Sequence, residues 1–181
     1  MAVRVVRKMG NVHTIKFKDS DAEQLLRLEL ENRLFFQMYT PLKEEEFYTI
    51  EKQKERIKWS LEDFEEGSRY SFGIFLDEDE LIGTISLSEV IRGNIQGAWI
   101  GYALTKAQNG KGYTTEAVKQ IVDFAFKELK LHRIEAGVMP RNPASIRVLE
   151  KAGFHKEGIA KENVRINGKW EDHQILAIVH S

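Results

Sequence analysis

The sequence predicts an α/β chain of the α+β kind: a mixed, mostly antiparallel sheet of about seven strands with helices packed on it. Three observations lead there. Residues 70–104 hold three apolar runs separated only by turn residues, the pattern of an antiparallel meander. From residue 113 onward helical and strand periodicities alternate, which calls for helices lying on a sheet. The chain has 181 residues, 42% apolar and 30% charged. That is enough for one core and far from the composition of disorder, so a single domain over 1–181 is expected.

Val12 to Phe17 reads as the first strand, and Asp19-Ser20-Asp21 offers N-caps for a helix carrying Leu25, Leu26, Leu28 and Leu30. After Thr40-Pro41 a long charged helix is expected from Glu44 to about Glu66, with Phe47, Ile50, Ile57, Leu61 and Phe64 as its apolar stripe and Gly67-Ser68 as its stop. The three strands of the meander are Tyr70 to Leu76, Leu81 to Val90 and Gln96 to Leu104, broken at Asp77-Glu78-Asp79-Glu80 and at Arg92-Gly93-Asn94. A Gly-rich turn at Asn109 to Gly112 leads into a helix from about Tyr113 to Leu129, whose Ala117, Val118, Ile121, Val122 and Ala125 are helically spaced. Arg133 to Val138 is a strand. A short helix starts at Asn142-Pro143, because Asn caps well and Pro suits the first turn, and stops at Ala152-Gly153. Strands at His155 to Val164 and Trp170 to Val179 flank the hairpin turn Asn167-Gly168.

Composition excludes several classes of function. With no cysteine there is no disulfide, no thiolate metal site and no Cys nucleophile. The five histidines, at 13, 132, 155, 173 and 180, lack HxxxH or HExxH spacing, so no metal is expected. The segment Met1 to Gly10 has basic residues but no apolar core or cleavage site, and no apolar run approaches the roughly 20 residues of a membrane span. A cytoplasmic protein that does not engage a membrane is expected. Net charge is −1, but residues 1–104 hold 14 Lys/Arg against 19 Asp/Glu and residues 105–181 hold 13 against 9. The basic excess is too dilute for direct nucleic-acid binding, yet it suits a small anion such as a phosphorylated cofactor.

Gly110-Lys111-Gly112-Tyr113-Thr114 lies where a strand has ended and a helix begins. A helix N-terminus exposes unpaired N–H groups and the positive end of the dipole, and glycines let backbone donors approach phosphate oxygens. Two glycines in a flexible loop would read the same way by themselves. A P-loop needs Ser or Thr after Gly-Lys, and Gly112 follows Lys111; a dinucleotide fingerprint needs a third Gly where Thr115 stands.

Taken in order, residues 97–158 carry Gly101-Tyr102 on a strand, Gly110-Lys111-Gly112-Tyr113 followed by Thr115-Glu116-Ala117, then Asn142-Pro143-Ala144-Ser145, then Glu150-Lys151-Ala152-Gly153-Phe154. This ordered set resembles the GCN5-related N-acetyltransferases (GNAT), and within them the branch that acetylates ribosomal-protein N-termini. The resemblance implies a GNAT-like sheet and an acetyl-CoA site. Loop 109–114 (Asn109, Gly110, Lys111, Gly112, Tyr113 and Thr114) would wrap the pyrophosphate. Ala103 and Leu104 would pair with the pantetheine amides, and the helix opened by Asn142 would flank the thiol arm. The family loop usually begins with Arg or Gln and ends with Gly or Ala. Here Asn109 and Thr114 stand at those positions, with Gln108 one residue out of register. Thr114 retains a hydroxyl for phosphate.

Acyl transfer from a thioester to an amine needs a neutral amine and benefits from a proton donor to the departing thiolate. Many relatives place a Tyr on the later helix for that donation, at a position that matches Leu149 here. Ser145, one turn earlier, is the substitute found in the ribosomal-protein branch, although a serine in a first helical turn can also serve only its own backbone. Some relatives carry an acid on the central strand where this chain has Trp99, and Glu89 and Asp172 are the remaining candidates for a base. An α-amine with pKa near 8 is partly neutral without one, which favours α-amines over lysine side chains. Trp59, Trp99 and Tyr39 are candidates for an acceptor groove, whereas Phe35-Phe36 and Phe124/Phe126 read as core.

The expected activity is therefore direct transfer from acetyl-CoA to a primary amine, in first place the N-terminal α-amine of a protein such as a ribosomal protein. A polyamine or aminoglycoside acceptor keeps the same fold and donor. A non-catalytic acyl-CoA-binding protein is the third reading, kept open by Leu149 and Trp99. A homodimer is compatible with all three.

Overall fold

The computed structural model describes residues 12–77 and 79–180. The segment Met1 to Gly10, expected not to be a signal peptide, and Glu78 of the acidic turn lie outside the described residues. Seven strands, β1 (Val12–Lys16), β2 (Tyr70–Leu76), β3 (Glu80–Ile91), β4 (Gly97–Leu104), β5 (Arg133–Val138), β6 (His155–Ile166) and β7 (Lys169–Val179), form one sheet in the order β1-β2-β3-β4-β5-β7-β6. Every neighbouring pair is antiparallel except β4 and β5. Among the described residues the α-helices are α1 (Ala22–Glu31), α2 (Arg33–Gln37), α3 (Ile50–Glu66), α4 (Tyr113–Lys127) and α5 (Pro143–Lys151).

Alternation along the strands gives the sheet two apolar faces, and two buried clusters occupy them. The larger joins Ile74, Ile85, Ile100, Ile134 and Leu176 of the strands to Val118, Ile121 and Ala125 of α4 and Leu149 of α5. The smaller joins Phe75 and Leu81 to Leu25 and Leu28 of α1, Phe36 of α2 and Ile57 of α3. Leu149, which stands where many relatives have a tyrosine, is fully buried core.

Three local expectations are corrected. The charged helix expected from Glu44 begins only at Ile50, because the Thr49 side chain accepts from the Lys52 N–H at 3.3 Å and caps it there. Glu45–Tyr48 instead form a separate 3₁₀ turn. Asp21 does not cap α1 through its side chain, which accepts from the Lys18 N–H at 2.8 Å across a 3₁₀ turn. α2 was not foreseen: Asn32, at φ −109° and ψ 11°, breaks the first helix and re-aims the chain. The hairpin at Asn167-Gly168 has φ of 51° and 81°, the left-handed pair that an Asn-Gly turn supplies.

Buried amides and one buried carboxylate tie distant segments together. Gln120 on α4 accepts from the Thr14 N–H at 2.9 Å and the Thr14 hydroxyl at 3.0 Å, and donates to the Val12 carbonyl at 2.9 Å. Glu29 on α1 is 4% exposed and pairs with Lys43 and with Arg56 of α3, both at 3.0 Å. Burial lowers the Lys43 pKa in spite of that carboxylate. Asn32 donates to the Leu28 carbonyl and accepts from the Thr105 hydroxyl and the Lys106 N–H, all at 2.9 Å, so the helix break is fastened to the end of β4.

Replacing Gln120 by Leu keeps the volume and strands the Thr14 and Val12 groups. Each buried group left unpaired costs about 1–3 kcal/mol. The unfolding free energy of Gln120→Leu from urea titration should fall by at least that much, with a lower midpoint and an unchanged m-value; an unchanged midpoint contradicts this role.

Candidate active site

β4 and β5 run parallel and pair only from Gly97–Arg133 to Trp99–Glu135. Beyond that point β4 continues to Leu104 on β3, and β5 continues to Val138 on β7, so the two strands diverge. The inner edge of β4 thus presents backbone groups to a gap instead of a neighbouring strand.

A cavity of about 420 Å³ lies along this end of β4 and is lined from both sides of the sheet. From α2 and the turn after it come Phe35, Phe36, Tyr39 and Thr40; from β4, Tyr102, Ala103 and Leu104; from the loop and α4, Gln108, Asn109, Gly110 and Gly112 to Thr115; from α5, Asn142, Ala144, Ser145, Arg147, Val148 and Lys151. Among these lining residues there is no Asp or Glu.

Gly112 precedes α4 with φ of 85°, a left-handed conformation that L side chains rarely adopt, and Gly110 has φ of 79°. These two values turn the loop into α4, whose first residues line the cavity and whose first N–H groups have no partner within the helix. Asn142 caps α5 by accepting from the Ser145 N–H at 3.2 Å, and Pro143 follows it in the first turn. That cap sets Ser145 on the cavity wall. The Tyr102 hydroxyl lies 2.8 Å from Ser145 Oγ and 3.2 Å from the Ser145 carbonyl oxygen. Burial pushes the Tyr102 phenol up to about 12, with the serine hydrogen bond opposing it.

Nine of the ten residues singled out in the sequence therefore meet at one cavity: Ala103, Leu104, Asn109, Gly110, Gly112, Tyr113, Thr114, Asn142 and Ser145. Lys111 does not line it, and its ammonium donates to Gln108 Oε1 at 2.7 Å. Of the proposed groove aromatics Tyr39 lines the cavity, whereas Trp59 lines a second, smaller one and Trp99 lies on the opposite side of β4 from Tyr102. Phe35 and Phe36 reach the cavity as well as the core. Neither candidate base is there. Asp172 pairs with Lys161 at 2.7 Å and accepts from the Glu162 N–H at 2.9 Å, which lowers its pKa. Glu89 lies at an irregularity of β3 with φ of 50°. Sequence reading missed Arg147 and Lys151, whose i, i+4 spacing on one face of α5 was the available signal, and it left Tyr102 without a role. No group of three or more His, Asp or Glu that could hold a metal occurs among the described residues, and no helix there is long and apolar enough to cross a membrane.

Comparison with known proteins bears on this arrangement. The family model described as acetyltransferase (GNAT) domain matches residues 14–155. The chain belongs to the GNAT family. It is an N-acetyltransferase by that membership, in a family that uses acetyl-CoA. Over 162 residues, 89% of this chain and 90% of the relative, it is 59% identical to the probable N-acetyltransferase YjcK of Bacillus subtilis. The ribosomal-protein-S5-alanine acetyltransferase from Vibrio fischeri superposes with a TM-score of 0.91 at 32% identity, covering 96% of each chain. Mycobacterium smegmatis RimJ, solved in complex with CoA-disulfide, superposes with a TM-score of 0.88 at 28% identity over 93% of this chain and 81% of that one. These neighbours belong to the ribosomal-protein branch of the family.

Proposed function

We propose that the protein transfers an acetyl group directly from acetyl-CoA to the N-terminal α-amine of a protein, a ribosomal protein in first place, in the cytoplasm. The observation that carries this reading is a cavity crossing the sheet with hydroxyls, amides and cations on its wall and no carboxylate. Without a carboxylate to take a proton, the acceptor must arrive partly neutral, and an α-amine with pKa near 8 does so where a lysine does not. The named activity of the Vibrio fischeri relative, on an alanine of ribosomal protein S5, supports the same class of acceptor.

In this reading the first N–H groups of α4, with the Thr114 hydroxyl, take the pyrophosphate, and Asn109 to Tyr113 wrap it. Arg147 and Lys151 add positive charge on the α5 side. The unpaired edge of β4 at Ala103 and Leu104 pairs with the pantetheine amides as a strand would, and Asn142 holds α5 beside the thiol arm. The amine enters from the α2 side, past Phe35, Phe36, Tyr39 and Thr40. When the tetrahedral carbon collapses, the C–S bond breaks and its electron pair stays on sulfur. Sulfur takes the Ser145 hydroxyl proton, and the serine oxygen regains one from the water that receives the proton released by the amine.

Three outcomes test this. Gly112→Ala meets open space around its new Cβ, so it pays only the left-handed φ, about 1–2 kcal/mol of stability. Gly112→Asp adds a carboxylate that competes for the same N–H donors. Calorimetric titration should show acetyl-CoA affinity falling much more steeply for Asp than for Ala, and equal affinities oppose a pyrophosphate site here. Ser145→Ala should retain acetyl-CoA affinity while turnover falls on the order of 100-fold, the usual contribution of a general acid. Full turnover with chemistry rate-limiting removes the serine from the mechanism. Finally, peptides with free N-termini should be acetylated faster than N-blocked peptides carrying lysine, whose ε-amine is only about one part in a thousand neutral at pH 7.4. The rate should climb with pH through about 8 as the α-amine deprotonates. Mass spectrometry locates the acetyl group; labelling confined to lysine, or activity confined to polyamines or antibiotics, rejects the proposed acceptor.

A further inference from the structure

We propose that Tyr102 is a positioning residue that donates its hydrogen bond to Ser145 Oγ and so turns the serine hydrogen toward the cavity. The proposal rests on Ser145 being the proton donor and adds what makes a serine hydroxyl adequate for that task.

The count of hydrogens leaves two arrangements. Tyr102 and Ser145 have one hydroxyl hydrogen each, and the phenol oxygen lies 2.8 Å from Ser145 Oγ and 3.2 Å from the Ser145 carbonyl oxygen, which can only accept and so draws the phenol hydrogen to the serine side. If the serine donates, its hydrogen is spent on the phenol and none remains for the departing sulfur. If the tyrosine donates, the serine hydrogen is free. The wall of the cavity then supplies the direction in which it is free to point, because Ser145 lines that cavity. The Ser145 amide is already occupied with the Asn142 side chain. A serine without such a donor has a local alternative in the first turns of a helix, bending back to a backbone carbonyl. Tyr102 competes with that alternative.

The phenol suits this part. Held up to about 12 by burial, it stays an O–H, and so a hydrogen-bond donor, at every pH at which an amine is acetylated. Its contribution is to fix the direction of one hydrogen bond and to spread the negative charge that gathers on Ser145 Oγ as that hydroxyl passes its proton to sulfur. No proton is lost from Tyr102 in the cycle. The side chain is also held from behind. Tyr102 packs on the larger core cluster, and its neighbours on β4, Gly101 and Ala103, pair with Ser86 and Thr84 of β3. The oxygen is thus presented to α5 by a strand anchored on its outer side.

The experiment is a double-mutant cycle on the full chain with Tyr102→Phe, Ser145→Ala and both together. Acetyl-CoA consumption is followed as free thiol with a peptide of free N-terminus, and acetyl-CoA affinity and melting temperature are measured for each variant. Tyr102→Phe should lower kcat about tenfold, the worth of one hydrogen bond, with KM for acetyl-CoA and the melting temperature nearly unchanged. The double variant should be no slower than Ser145→Ala, because a positioning group has nothing left to position. Losses that multiply in the double variant, wild-type kcat in Tyr102→Phe, or a larger loss in Tyr102→Phe than in Ser145→Ala each overturn the proposal, the last by making the phenol the donor. Wild-type turnover in Ser145→Ala rejects the serine donor and this proposal together. A slow Ser145→Ala beside a fast Tyr102→Phe rejects the role of Tyr102 alone.

Discussion

Hydrogen bonding between β4 and β5 stops after three residue pairs, and the rest of the site depends on that interruption. A sheet that zipped to its end would bury the inner edge of β4 in a ladder and leave no passage between its faces. Each diverging strand keeps a full partner on its outer side, β3 for β4 and β7 for β5, so the split leaves one edge open on each strand and the sheet stays intact. Backbone donors and acceptors left open in this way must be met by water or by a ligand. An extended chain of amides is the ligand that meets them best, which is the shape of the pantetheine arm.

The gap is usable because the helices around it are fixed by polar ties that reach across the sequence. Asn32 couples the break between α1 and α2 to Thr105 and Lys106, so the wall carrying Phe35, Phe36 and Tyr39 is registered on the end of β4. Gln120 holds α4 to β1, and Asn142 sets the first turn of α5. Each of these amides is worth little as a single hydrogen bond, but the buried Asn32 and Gln120 have few other places to satisfy their groups, and that makes the arrangement specific. The apolar clusters on either face supply the bulk of the driving force and tolerate substitution better than these ties do.

The chemistry of the cavity follows from what lines it. A helix N-terminus and two cations on α5 favour phosphate at one end, while the aromatic residues of α2 make the other end less polar. The catalytic demand then falls on the thiolate and on the protonation state of the arriving amine. Asp172, the acid nearest in type to a base, is committed to Lys161 and the Glu162 N–H.

The periodicity of residues 70–104, the Asn-Gly turn at 167–168 and the Asn142-Pro143 helix start were legible in the sequence because each rests on contacts between near neighbours. So was the loop at 109–114, since its glycines are required by local φ values of 79° and 85°. The Asn32 break and the late start of α3 were not, since Asn32 acts through Thr105 and Lys106 and a charged stretch such as 44–49 satisfies helical periodicity whether or not Thr49 caps it. Phe35 and Phe36 read as core by composition, and only their place beside the gap makes them wall. The sequence by itself determined the strands, the longer helices apart from the start of α3, and the glycine turn at 109–114. That Tyr102 meets Ser145, 43 residues away, was decided by the tertiary structure alone, because no local rule fixes which side chain a splayed strand presents to a helix packed on it.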